Sequence, residues 1–188
     1  MTEFTVHTAD SAPAAAKPIL EASQKSLGFT PNLYGVFAEA PPVLQAYQAL
    51  SDFFGATSFT NDERHVIWLA INVEHECHYC VPAHTVIARS QNLDEETITA
   101  LRDAAPLKDP KLEALRTFTL KVVRQRGVVD DAAVEAFLAA GYTKAHILEV
   151  ILGVSHKVLS NYANHFADTA VDAAFTKDAW EPTGAKAA

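Results

Sequence analysis

Hydrophobic residues follow a helical period along most of the chain. The clearest case lies behind Thr60-Asn61-Asp62-Glu63, a pattern typical of a capping box at a helix N-terminus. The apolar residues after it have the spacing of one buried helix face: Val66, Ile67, Ala70 and Ile71. This pattern predicts a helix that ends near Val73 or Glu74.

Capping residues, glycines and prolines delimit the other predicted helices. Gly28 has the character of a left-handed C-cap, Pro41 and Pro42 suit a first helical turn, and several aspartates have the position of N-caps. The predicted helices run from Ala14 to Leu27, Leu33 to Ala38, Pro41 to Phe54 and Thr143 to about Phe166, and others start at Tyr79 or Cys80, Asp94, Asp109 and Asp130. The longest helix is predicted to face inward with Ile147, Val150, Ile151, Val154 and Val158. From Thr169 the pattern decays, and a loose tail is expected from about residue 181.

Composition supports an all-α fold in one globular domain, residues 1–188. Glycine is scarce, at 7 of 188 residues, and 49% of the residues are hydrophobic while 20% are charged. The net charge of −8 makes a nucleic acid or an anionic membrane an unexpected partner. The apolar runs fall far short of the ~20 residues that a membrane span needs, and the start lacks the features of a signal peptide. We therefore expect a cytoplasmic protein without a membrane partner.

The candidate chemistry lies in one segment that contains both cysteines. Offsets of three and seven residues bring Cys77, Cys80 and His84 to one side of a helix. Unpaired N–H groups and the helix dipole favour a thiolate in the first turn, and a histidine one turn further on can move its proton. A second thiol at this spacing can capture a sulfenic acid or complete a disulfide. The segment therefore favours thiol redox chemistry.

Two other interpretations of this segment remain open. The cysteines and the histidine can be ordinary core residues, as most single cysteines are. A structural zinc site needs four ligands, and His75 or His78 on the same short segment would complete a tetrahedron only awkwardly. We expect neither a metal nor another cofactor.

The segment Cys77-His-Tyr-Cys80-Val-Pro-Ala-His84 resembles the C-x-Y/H-C-x-x-x-H signature of the AhpD-like alkylhydroperoxidases, within the carboxymuconolactone decarboxylase superfamily. The resemblance spans about residues 27 to 90. Its upstream parts are Gly28-Phe-Thr-Pro31-Asn32-Leu, Ala40-Pro-Pro-Val-Leu, Thr60-Asn-Asp-Glu-Arg64 and Trp68-Leu-Ala. The downstream Asn161-Tyr-Ala-Asn-His165-Phe, followed by Asp172 and Trp180, looks like the peroxidase-related branch.

The resemblance implies an all-helical fold built around an antiparallel helical hairpin and assembled as a homo-oligomer, commonly a trimer or hexamer. It implies a thiol-dependent peroxidase that acts on a small-molecule hydroperoxide and is reduced by a thiol or dithiol. In that scheme Cys80 is the peroxidatic thiolate, Cys77 resolves the sulfenic acid to a disulfide, and His84 relays the proton.

The chain departs from the family at the carboxylate of the proton relay. AhpD has a glutamate twelve residues before the first cysteine, where this chain has His65. Glu63 lies about 200° further around the helix and is no simple substitute. Glu74 is therefore the candidate catalytic carboxylate, with a solvated helix-end charge as its alternative role, while His65 either joins the relay or only packs.

Two alternative functions remain open for this chain. The superfamily also contains carboxymuconolactone decarboxylase-type lyases, which generally lack the cysteine pair, and a non-catalytic helical oligomer would have inert thiols.

On the longest helix the polar residues favour an exposed face or a subunit contact over a pocket: His156, Asn161, Asn164 and His165.

Overall fold

The fold is built from helices alone in the part of the chain that the structure, a computed structural model, describes, which is residues 3–182. This part contains nine α-helices, one short 3-10 helix and no strand. The α-helices are α1 (Lys17–Leu27), α2 (Asn32–Phe37), α3 (Pro41–Gly55), α4 (Asn61–Glu74), α5 (Cys80–Ser90), α6 (Glu95–Arg102), α7 (Pro110–Arg124), α8 (Asp131–Ala139) and α9 (Lys144–Ala167). The 3-10 helix is Thr176–Asp178. The predicted all-α class is confirmed.

Short-range capping bonds define the helix starts that the sequence predicts. The Thr60 hydroxyl accepts a bond from the Glu63 N–H, and the Glu63 carboxylate accepts one from the Thr60 N–H, which completes the capping box of α4. The side chains of Asp94, Asp109 and Asp130 likewise accept first-turn N–H groups of α6, α7 and α8. These bonds satisfy donors that have no partner within the helix.

The first helix starts at Lys17, three residues later than the predicted Ala14. Pro18 explains the difference, because it has no N–H to donate to the Ala14 carbonyl and is tolerated only in a first turn. Residues 14–16 instead form a turn in which the Ala16 N–H donates to the Pro13 carbonyl at 2.9 Å. The helix ends as predicted at Gly28, with φ of 81°.

Helix α4 lies at the centre of the fold and contacts α5, α6, α7 and α9. It packs against α5 across the short segment 75–79, and the two form the predicted helical hairpin. Helix α9 also approaches α3 and α4 closely at Gly153, where a Cβ atom would lie 2.7 Å from Phe54 Cε2 and 3.0 Å from Ile67 Cγ2. Glycine at this position therefore allows the close packing of α9.

The face that α9 turns inward differs from the predicted one. Val150 is buried as expected, but Ile151 is 44% exposed and Val158 is only half-buried. The buried face of the C-terminal half is polar instead: His156, Lys157, Ser160, Asn161 and Asn164. Of the polar cluster expected at the surface, only His165 is exposed.

The segment after α9 packs more closely than its sequence pattern predicts. Phe175 is buried against Phe29 and Tyr79, with ring centroids 5.8 Å and 6.4 Å away. Asp172 accepts a bond from the Tyr79 hydroxyl and another from the Asn32 N–H. The tail predicted from about residue 181 lies almost wholly outside the described residues.

Among residues 3–182, no single helix combines the length and the apolar run needed to cross a membrane. Helices α8 and α9 meet that test only when they are taken together, and they are bent by 109° at their junction.

Candidate active site

The loop between α4 and α5 brings the two cysteines together. Glu76 adopts a left-handed conformation with φ of 53°, and the Cys77 N–H then donates back to the Asn72 carbonyl at 3.0 Å. Cys80 is the first residue of α5, and its N–H donates to Cys77 Sγ at 3.3 Å. Both cysteines are free and buried. The prediction that Cys80 lies at a helix N-terminus is confirmed.

Polar residues of α9 cover the two sulfur atoms. Asn164 Nδ2 lies 3.2 Å from Cys80 Sγ and 3.9 Å from Cys77 Sγ. The neighbouring Asn161 donates to Asn72 Oδ1 at 2.9 Å, and Asn72 donates to the Cys80 carbonyl at 3.4 Å. This network ties α9 to the hairpin at the point where the thiols lie.

A buried lysine contacts His84 in the cavity that Cys80 also lines. Lys157 Nζ lies 2.8 Å from His84 Nε2, and both residues line the same cavity as Cys80. His84 stacks obliquely on Trp68, with centroids 5.2 Å apart, and Trp68 donates to His156 Nδ1 at 3.2 Å. Burial, reinforced by the Lys157 charge, holds the pKa of His84 well below its usual range. His84 is therefore neutral near pH 7, and its Nε2 can accept a hydrogen bond from Lys157.

The environment shifts the pKa values of the two thiols in opposite directions. Burial alone would raise the pKa of Cys80, but the hydrogen bond from the Cys77 thiol, the Lys157 charge and the asparagine amides outweigh burial and lower it to about 6. The pKa of Cys77 is raised, because its thiol donates to Cys80 and is itself buried. Cys80 is therefore the thiolate of the pair at neutral pH.

A largely apolar cavity of about 300 Å³ opens onto Cys80, His84 and Lys157. Its wall includes Phe29, Leu33, Tyr34, Tyr47, Tyr79 and Phe175. The hydroxyl of Tyr79 bonds Asp172 and accepts the Leu33 N–H at 3.3 Å, which fixes one side of the wall. The reactive sulfur thus faces a space large enough for a small apolar molecule.

A profile of the carboxymuconolactone decarboxylase family matches residues 41–121. The fold is similar to that of a peroxidase-related protein from Ralstonia eutropha JMP134, described as an alkylhydroperoxidase AhpD core, with a TM-score of 0.82. The two chains are 24% identical, and the match covers 92% of this chain and 93% of that one. Residues 41–121 are thus similar to the carboxymuconolactone decarboxylase family, and the chain as a whole has an AhpD-like fold.

Other solved structures have a similar fold. A peroxidase-related protein from Silicibacter sp. TM1040 is 21% identical, with a TM-score of 0.78 over 93% of this chain and 95% of that one. A cysteine-to-alanine variant of the debrominase Bmp8, in complex with 2,3,4-tribromopyrrole, is 17% identical, with a TM-score of 0.77 over 94% and 95%. No curated protein matches the chain. The fold therefore supports more than one reaction.

The two candidate relay residues of α4 have hydrogen-bond partners outside the cavity that Cys80 lines. Both carboxylate oxygens of Glu74 bind the Arg124 guanidinium at 2.7 Å, so Glu74 links α4 to α7 rather than lining the thiol cavity. His65 Nε2 lies 3.1 Å from Gln91 Oε1, and the His65 ring packs edge-on against Trp68. Of the predicted site residues, the structure brings together Cys77, Cys80 and His84.

Sequence reasoning missed Lys157 and treated Asn164 as a surface residue. Lys157 is fully buried, although lysine is almost never buried without a partner. The available signal was its place on a helix whose polar residues recur every three or four positions, at 157, 160, 161 and 164. Among residues 3–182, no three His, Cys, Asp or Glu side chains are grouped as a metal site would require.

Proposed function

We propose that this protein is a thiol-dependent peroxidase in which Cys80 attacks the hydroperoxide. The observation that carries the proposal is the buried Cys80 sulfur at a helix N-terminus, where Cys77 and Asn164 donate to it beside the Lys157 charge. Such an environment favours a thiolate, which is the nucleophilic form of cysteine. Its position at an apolar cavity supports an organic hydroperoxide, ROOH, as the substrate.

In the first step, the Cys80 thiolate attacks the terminal oxygen of ROOH. A sulfur–oxygen bond forms while the oxygen–oxygen bond breaks, so Cys80 is oxidised to a sulfenic acid and RO⁻ leaves. The leaving alkoxide needs one proton to become ROH. Lys157, hydrogen-bonded to His84, is the proton donor that the cavity offers.

In the second step, the Cys77 sulfur attacks the sulfur of the Cys80 sulfenic acid. A disulfide forms, and the hydroxyl group leaves as water with the proton of Cys77. An external thiol or dithiol then returns the pair to the reduced form by disulfide exchange. The 3.3 Å hydrogen bond from the Cys80 N–H to Cys77 Sγ supports disulfide formation between the two cysteines, because it keeps them adjacent before the reaction.

Intact-mass spectrometry with a stoichiometric organic peroxide, such as cumene hydroperoxide, tests the proposal. We expect reduced protein to lose two hydrogens, and the new disulfide to map to the peptide that contains Cys77 and Cys80. Cys80→Ser should keep its mass. An unchanged wild-type mass with unchanged peroxide would reject the peroxidase, and turnover of a muconolactone by that protein would favour the lyase alternative.

A further inference from the structure

Lys157 places its amino group inside the largely apolar cavity. Its side chain is fully buried, and Nζ contacts His84 Nε2 at 2.8 Å and the face of Tyr47 at 5.9 Å. None of the ion pairs formed among residues 3–182 includes Lys157. A buried ammonium needs a counter-charge, since an apolar environment strongly destabilises an isolated charge.

In the reduced protein the Cys80 thiolate supplies that counter-charge. Cys80 and Lys157 line the same cavity. Burial lowers the pKa of Lys157, and the negative charge on the thiols opposes that shift and favours the protonated amine. Disulfide formation makes both sulfurs neutral. The oxidised cavity therefore contains an ammonium group whose partner has been consumed.

A second polar group in this cavity also lacks a partner. His84 is buried, and its Nδ1 has no hydrogen-bond partner among residues 3–182. Because Nε2 accepts from the lysine ammonium, the neutral ring carries its hydrogen on Nδ1, which is an unused donor. An anionic oxygen acceptor would satisfy both Lys157 and His84.

We propose that the disulfide form of this cavity binds a small apolar monocarboxylate, and that the dithiol form binds it much more weakly. The carboxylate replaces the lost thiolate as the partner of Lys157, and the hydrocarbon part contacts the wall around Leu33, Tyr34 and Phe175. The inference rests on the proposed redox function, because it requires Cys77 and Cys80 to form a disulfide. In the dithiol form, the thiolate repels the carboxylate and already neutralises the lysine.

Binding and redox state are then coupled in both directions. A ligand that binds the oxidised form more tightly stabilises the disulfide against its reductant by the same factor. Apolar carboxylates would thus hold the enzyme in its oxidised form and slow its return to the cycle.

Octanoate titrations of the full chain test this inference. One sample is oxidised with diamide, with the disulfide verified by intact mass, and the other is reduced with a phosphine. Calorimetry should show octanoate binding the oxidised form at least about tenfold more tightly, a typical size for a coupling between two sites. Octanamide, the neutral analogue, should show no redox preference. Lys157→Met should abolish the preference, while Lys144→Met at the exposed start of the same helix should retain it.

A second measurement does not depend on the folding of a variant. In a dithiothreitol redox buffer, saturating octanoate should shift the wild-type equilibrium towards the disulfide by the same factor, about tenfold.

Equal octanoate affinity in both redox states, or a preference that survives Lys157→Met, overturns the inference. A disulfide formed by diamide but not by peroxide rejects the peroxidase and leaves this coupling intact. Failure to form the disulfide with diamide rejects both.

Discussion

At the scale of single residues, Cys77 and Cys80 differ because one donates to the other. The thiol of Cys77 donates a hydrogen bond, and this both raises the pKa of Cys77 and lowers that of Cys80. Asn164 adds a donor at 3.2 Å from Cys80 Sγ but only at 3.9 Å from Cys77 Sγ. Two residues of the same type therefore acquire different chemistry from their immediate neighbours.

Replacing Lys157 with methionine should raise the pKa of Cys80, because the nearby positive charge stabilises the thiolate. In the wild type, the rate of Cys80 alkylation by iodoacetamide should increase with pH. Its midpoint should lie near pH 6, because the pKa of Cys80 is lowered to about 6. In Lys157→Met the midpoint should rise by about one pH unit or more. Lys144→Met is the control and should leave it unchanged, and an unmoved midpoint in Lys157→Met would contradict the proposed role of the lysine.

The two cysteine variants should separate attack from resolution. Cys80→Ser should abolish peroxide consumption, because it removes the low-pKa thiol. Cys77→Ser should still consume about one equivalent of peroxide and stop as a Cys80 sulfenic acid, which dimedone traps. The serine hydroxyl can still donate towards Cys80, so attack is preserved while resolution is lost. A dead Cys77→Ser, together with a sulfenic acid in Cys80→Ser, would reverse the assignment.

At the scale of helices, Gly153 allows α9 to approach α3 and α4. A Cβ atom there would lie 2.7 Å from the Phe54 ring, which is buried and has little room to move. A Cβ atom at Gly55, at the end of α3, would have no atom of another element within 4 Å among residues 3–182. These two glycines form a matched pair for measuring the cost of crowding.

Gly153→Ala should lower the free energy of unfolding by about 1 kcal/mol or more, because overpacking costs ~1–3 kcal/mol and exceeds the gain in helix propensity. Gly55→Ala should be neutral or slightly stabilising. Urea unfolding followed by circular dichroism measures both changes. If Gly153→Ala were as stable as Gly55→Ala, the close contact would not limit the position of α9.

At the scale of the whole molecule, α9 leaves an apolar surface uncovered. Four large side chains with helical spacing are exposed by 44% to 78%: Leu148, Ile151, Tyr162 and Phe166. Contiguous apolar surface of this kind is typical of interaction sites, and a second copy of the chain is the partner that the family resemblance implies. We therefore propose that this surface of α9 contributes to a homo-oligomer.

Light scattering at micromolar concentration should give a mass that is a multiple of 20.4 kDa. Combining Ile151→Asp with Phe166→Asp should reduce the mass to that of one chain, because charges are costly to bury at an interface. Val128→Asp is the control, since Val128 is 83% exposed and lies outside this surface. A wild-type mass of one chain would contradict the predicted assembly.

The sequence alone determined the helices and the grouping of Cys77, Cys80 and His84. Caps such as Thr60 and Asp94 act on N–H groups three residues away, and the cysteine and histidine offsets follow from the helical period, so neither depends on distant contacts. The predicted start of α1 is three residues too early, because Pro18 has no N–H to donate and is tolerated only in a first turn.

Only the tertiary structure decided which face of α9 is buried and what the site contains. The apolar pattern predicted Ile151 at the core, but the contact at Gly153 turns Lys157 and Asn164 towards the thiols and leaves Ile151 exposed. Glu74 similarly finds Arg124, fifty positions along the chain, instead of the thiols. Such pairings depend on how distant helices pack, which a periodic pattern along one helix does not specify.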